Sequence, residues 1–222
     1  MRELPILFSG AMVRAILDGR KTQTRRAVKP VRGFKHYDIC RPDMAADDFA
    51  VWWHGKETER VGVWQSCPYG QPGDRLWVRE TFQGPLWEEG TWDAGTDYHS
   101  PAFCEYRADG GPMPEYVDFG DKLRQGWKPS IHMPRWASRI LLEVTDVRVE
   151  RLQSISEADA IAEGIDGTAC AAAVGTAPSR QTLLPVAVHG YAHLWGSLNA
   201  DRGYGWDTNP WVWVVSFKRV TA

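Results

Sequence analysis

The chain has 222 residues, 43% of them hydrophobic and 24% charged, with a formal net charge of -2. These values exclude a disordered or fibrous chain and a generally basic nucleic-acid coat, while leaving room for a local basic patch. No stretch approaches the ~18 apolar residues that span a bilayer, so no membrane partner is expected. Arg14 and Asp18 interrupt the one apolar run near the N-terminus, which therefore does not read as a signal peptide. Four cysteines (Cys40, Cys67, Cys104, Cys170) include no CxxC pair and read as reduced thiols of a cytoplasmic protein. The 12 Trp, and the excess of 19 Arg over 7 Lys, suit either base stacking and phosphate gripping or a well-packed β-protein with a charged surface.

The first predicted element is a helix over residues 9–18. Ser9 serves as N-cap, Met12/Ile16 and Val13/Leu17 form i,i+4 apolar pairs, and Gly19 suits the C′ position. A strand follows over 21–28, closed by Pro30. Residues 31–72 read as an irregular insertion punctuated by Gly and Pro. Gly73-Asp74 then turn into a strand over 75–79. Residues 83–130, rich in Gly, Pro and acid, read as a second insertion lying over one face of the core. Alternation from 139 to 151 predicts a long strand, broken or bulged at Thr145-Asp146. Ser156 N-caps a short helix, with Asp159 in the capping-box position and Gly164 stopping it. Residues 166–185 read as a mobile loop, 186–198 as an amphipathic helix and 211–220 as a closing strand. Together these predict a single α+β domain over 1–222: a small, partly closed β-barrel with helices at its rim and long irregular insertions. No glycine-rich phosphate loop follows a strand.

Charge is segregated along the chain. Residues 1–32 carry a local balance of +6, 80–121 of -9 and 122–151 of +4, which predicts a basic face for an anionic ligand and an acidic segment opposing it. The chemistry concentrates at 16–26, where Lys21 lies beside Arg20, Arg25 and Arg26. Like-charge repulsion there lowers an amine pKa and can yield a neutral base. Thr24 is three residues on. In a regular strand the two side chains face opposite sides, so only a turn or helical segment brings amine and hydroxyl together.

The pattern Gly19-x-Lys21-x-x-Thr24-x-Arg26 resembles the G-x-K-x-x-[E/T]-x-R signature of the ASCH superfamily, small β-barrels related to PUA domains. The variant with Thr in the sixth position resembles the small bacterial N4-acetylcytidine amidohydrolases. The segment Ile155-Ser156-Glu157-Ala158-Asp159-Ala160-Ile161-Ala162-Glu163-Gly164 is similar to that family's short helix, near whose end a functional Glu lies. Larger phage- and prophage-associated ASCH proteins are resembled through residues 73–80, 132–136 and 209–213. The resemblance implies a hydrolase that removes an acyl group from an N4-acylated cytosine nucleoside or nucleotide, with Lys21, Thr24 and Glu163 as the catalytic set and no cofactor. Thr24 would attack the acyl carbon, Lys21 would take its proton, and Glu163 would protonate the leaving amine or orient a water. Arg26 or backbone N–H groups would hold the oxyanion. The other reading of Lys21 and Glu163 is an ordinary ion pair between two helices.

Arg20, Arg26, Glu80, His132, Arg135 and Trp136 complete the expected substrate-binding set. Glu80 follows the strand at 75–79 and serves either as a second pocket carboxylate or as a surface ion-pair partner. The run 128–136 serves either as a stacking or phosphate-gripping wall or as a proline-stiffened loop with Trp136 in the core. The alternative function is an RNA or single-stranded nucleic-acid binding module, or a ribonuclease, using the same basic loop. His36, Cys40, His54 and Cys67 fit no compact ligand spacing, so no metal site is expected.

Overall fold

The computed structural model describes residues 1–29, 37–40, 50–55, 58–87, 90, 93–117, 120, 122–166 and 185–221. In chain order these form β1 (Glu3–Leu7), α1 (Gly10–Leu17), β2 (Gln23–Ala27), β3 (Tyr37–Cys40), β4 (Ala50–Gly55), β5 (Thr58–Ser66), β6 (Arg75–Arg79) and β7 (Phe82–Gln83). There follow β8 (Glu105–Tyr106), β9 (Glu115–Val117), β10 (Leu123–Gln125), β11 (Leu141–Arg151), α2 (Glu157–Ala162), α3 (Val186–Asn199) and β12 (Trp211–Val220). The architecture is α+β. Among the described residues no helix is long and apolar enough to cross a membrane.

The centre is a five-stranded sheet in the order β1-β6-β11-β12-β2, parallel between β1 and β6 and antiparallel elsewhere. The ladder between β11 and β12 slips by one residue between Val144 and Asp146, so the expected break at Thr145 is a β-bulge. β12 is buried on both faces: Trp213, Val215 and Phe217 point into a core shared with α1, whereas Val212 and Val214 point into a second core under α2 and α3. That two-sided burial explains its near-continuous apolar run, Trp211-Val212-Trp213-Val214-Val215.

The chain leaves β1 at one edge of the sheet and, through α1, returns as β2 at the other edge. There Arg26 Nη2 on β2 donates to the carbonyl of Leu7 at the end of β1, at 2.7 Å. A side chain thus bridges the two edges.

Residues 31–72 are not irregular where they are described: β3, β4 and β5 form an antiparallel three-stranded sheet. Each carries β-branched or aromatic residues that favour extended backbone: Tyr37 and Ile39, then Val51, Trp52 and Trp53, then Val61, Val63 and Trp64. The expected elaboration at 83–130 holds two small two-stranded ladders and short turns. It packs on the core through Ala108, whose carbonyl accepts from Arg14 Nη1 of α1 at 3.0 Å. Of the loop expected at 166–185, residues 167–184 lie outside the described residues.

Candidate functional site

Lys21 sits where α1 ends. Gly19, at φ +74°, turns the chain so that Lys21 forms an isolated antiparallel bridge with Glu163, and Thr22 N–H bonds to the Ala162 carbonyl. Glu163 is fixed from the other side. It caps the C-terminus of α2, a helix begun by Ser156 and Asp159 in a reciprocal capping box. Gly164, at φ +90°, lets α2 approach closely; a Cβ there would stand 3.0 Å from Ala15 Cβ and 3.2 Å from Lys21 Cβ.

The Lys21 Nζ donates to Glu163 Oε2 at 2.7 Å, to the Glu163 carbonyl at 2.9 Å and to the Gln23 carbonyl at 2.7 Å. Its three protons are thereby all placed. The two side chains are 0% and 3% exposed. Burial pulls the Lys21 amine below its ordinary pKa against the pull of Glu163, and Arg26 and Arg25 lower it further. The direction matches the sequence expectation, but dehydration is the larger cause, ahead of like-charge repulsion.

Arg25, read from the sequence only as a neighbouring charge, is wholly buried and links Glu163 to a wider network. Its guanidinium lies 3.5 Å from Glu163 Oε1, 2.5 Å from Glu150 and 3.3 Å from Asp159. Arg148 adds contacts to Glu150 at 3.3 Å and Asp159 at 3.0 Å. Burial works to raise the Asp159 carboxyl, but the Ser156 hydroxyl and Arg25 hold it at about 2.

Beside this network opens a cavity of about 870 Å³, within the range that holds small molecules. Thr24 and Glu163 reach its wall, whereas Lys21 stands behind them. Thr24 is buried. Tyr191 of α3, which sequence reasoning missed, also lines the cavity. Burial and the Glu163 charge keep its phenol well above its ordinary pKa, hence protonated, and the Arg25 guanidinium lies 6.0 Å from its ring. The apolar face of the helix at 186–198 was the available signal, but nothing in the sequence pairs that helix with residue 163.

Of the expected binding residues, Arg26 lines the cavity and lies over the Phe8 ring at 5.2 Å. The others are not brought there. Arg20 is exposed and pairs with Asp18 at 2.8 Å. Glu80 is buried in a two-pronged pair with Arg139 at 3.0 and 3.1 Å, and Arg139 continues to Asp109. Its carboxyl is pushed up by burial, against Arg139. His132 is exposed, Arg135 pairs with Glu3 at 2.9 Å, and Trp136 packs against the Phe82 cluster with its ring edge-on to His99. Glu80 and Arg135 are drawn away by counter-charges 59 and 132 positions along the chain, which no local spacing announces, whereas Arg20 pairs with its near neighbour Asp18. Only Ser130 of the 128–136 run reaches the cavity.

His36 lies outside the described residues, as do the side chains of Cys40 and His54; the Cys67 thiol is buried and pushed up to about 12. Among the described residues, no three His, Cys, Asp or Glu side chains gather as an ion would require. No protein-family model, curated protein or solved structure matches the chain.

Proposed function

We propose that this protein is an ASCH-like hydrolase that removes the acyl group from an N4-acylated cytosine nucleoside or nucleotide. The observation that carries the reading is that Thr24 lines the same cavity as Glu163, whose carboxylate binds the dehydrated Lys21. The partly closed barrel implied by the resemblance is supported by Arg26 bridging the two sheet edges.

Burial weakens an ion pair relative to its neutral form. A proton can therefore pass along the 2.7 Å contact from Lys21 to Glu163, leaving a neutral amine and a carboxylic acid. The amine exchanges its bond to the Gln23 carbonyl for the Thr24 hydroxyl and takes that proton as Oγ adds to the acyl carbon. As the C–N bond breaks, the Glu163 acid gives its proton to N4, and the cytosine amine leaves. The pair is again ionic, and Thr24 carries the acyl ester. Water then adds to the ester, with Glu163 taking its proton and Lys21 returning one to Thr24 Oγ. The products are the acyl carboxylic acid and the free enzyme. The Tyr191 phenol, which lines the same cavity, is a donor available to an oxyanion.

The test is release of cytidine from N4-acetylcytidine by the wild type, Thr24→Ala and Thr24→Ser. A second reading, an RNA or single-stranded nucleic-acid binding module or ribonuclease, draws on the cations of the same cavity. It predicts binding without deacylation.

A further inference from the structure

We infer that the ligand of this cavity carries a phosphate, held at the rim by Arg26, Arg79, Lys29 and Arg202 while its base passes inward toward Thr24. The inference rests on the preceding assignment of the cavity as the substrate site.

The lining is graded. Thr24, Glu163, Tyr191 and Phe8 are buried, Arg26 and Arg79 are half-buried, and Lys29 and Arg202 are exposed. The reacting groups thus form the floor and the cations the mouth. Arg26 and Arg79 are held at the same end of β1: Arg26 donates to the Leu7 carbonyl, and Arg79 is the register partner of Leu7 on β6.

Arg2, Arg20, Arg135 and Arg139 each find a carboxylate within 3.0 Å. Arg26, Arg79, Lys29 and Arg202 have none among the described residues. Arg14, Arg75, Arg107 and Arg151 also lack a carboxylate partner among the described residues, but none of them lines the cavity, whereas the rim gathers four such cations around one opening. Arg79 donates to the Ile131 carbonyl and leaves its buried Nε without a partner. The one carboxylate of the lining, Glu163, is already committed to Lys21 and Arg25. A neutral nucleoside would leave four cations unmatched. A phosphate brings one or two negative charges to that cluster, and a planar guanidinium fork fits two of its oxygens at once. Tyr69, Tyr191 and Phe8 supply aromatic surface for the base. A 5′-mononucleotide and a phosphodiester strand present the same group.

Calorimetric titration of the wild type with cytidine, cytidine 5′-monophosphate and a short oligocytidylate separates these sources. The monophosphate is expected to bind about tenfold tighter than cytidine or better, an advantage that shrinks as salt rises. Further gain with the oligonucleotide assigns the contact to a strand; no further gain assigns it to a monoester. Arg202→Ala, at an exposed position, and Arg79→Ala should each erase most of the advantage while cytidine binding is retained. Equal affinity for cytidine and both phosphorylated ligands, or no binding of either phosphorylated ligand, overturns the inference. Failure of the deacylase reading shows separately, as a phosphate preference in a protein that does not hydrolyse acylated cytosine.

Discussion

Lys21 and Glu163 are almost wholly withdrawn from water, so their pairing is a commitment of the fold as well as of the proposed chemistry. Removing one partner strands a buried charge, and Lys21→Met is expected to cost about 3–5 kcal/mol. Lys21→Met combined with Glu163→Leu should recover much of that loss, leaving Arg25 to Glu150 and Asp159. Urea unfolding of the two variants checks both statements, with neither variant expected to turn over substrate. Lys21, Thr24 and Glu163 are singled out through the resemblance to a family pattern, and the structure joins Lys21 to Glu163 and puts Thr24 on the same cavity wall as Glu163. The sequence hid Arg25 and Tyr191, because their importance comes from burial against distant partners, which no local spacing encodes.

Elements deliver those residues. α2 is short, and its placement depends on Gly164 and on the tie between Ser156, Asp159 and the buried guanidinium of Arg25. Gly164→Ala combines a strained left-handed backbone with a Cβ driven against Ala15 and Lys21. A loss of about 1–3 kcal/mol is expected, with turnover falling further than stability alone explains, since Glu163 moves. Asp159 makes the tie pH-dependent. Its carboxyl is held below the ordinary 3.8, at about 2, so its stabilising contribution is complete above pH 3.8 and is lost as pH falls toward 2. Circular dichroism melts between pH 5 and pH 2 should show a steep fall in Tm for the wild type and a shallower one for Asp159→Asn. α1, β6, the bulge in β11 and the capping box of α2 were legible because each is signalled by neighbours in sequence. β3 to β5 were not, because their apolar residues keep no sustained two-residue period.

Across the whole molecule, one central sheet serves two cores, and the cavity opens where its two edges approach. Arg26 spans that gap. Arg26→Met, which keeps the stem but loses the bond to Leu7, should lower stability by about 1 kcal/mol and speed amide exchange at the end of β1 and in β2. The segregation of charge in the sequence led to the expectation of a basic face; of the cavity's cations, Arg25, Arg26 and Lys29 come from the first 32 residues and Arg79 and Arg202 do not. That segregation did not anticipate which cations would be neutralised, because the pairs form across as many as 142 positions of chain. Glu80 and Asp109 of the acidic segment pair with Arg139, and none of its described carboxylates lines the cavity.

Deacylation of N4-acetylcytidine and its 5′-monophosphate, compared between the wild type and Thr24→Ala and followed by chromatography, bears most directly on the proposed chemistry. Turnover by the wild type is expected, falling about a thousandfold or more in Thr24→Ala at unchanged fold and partly retained in Thr24→Ser. Wild-type turnover that survives Thr24→Ala would contradict the nucleophile, and no turnover of either compound by the wild type would contradict the hydrolase.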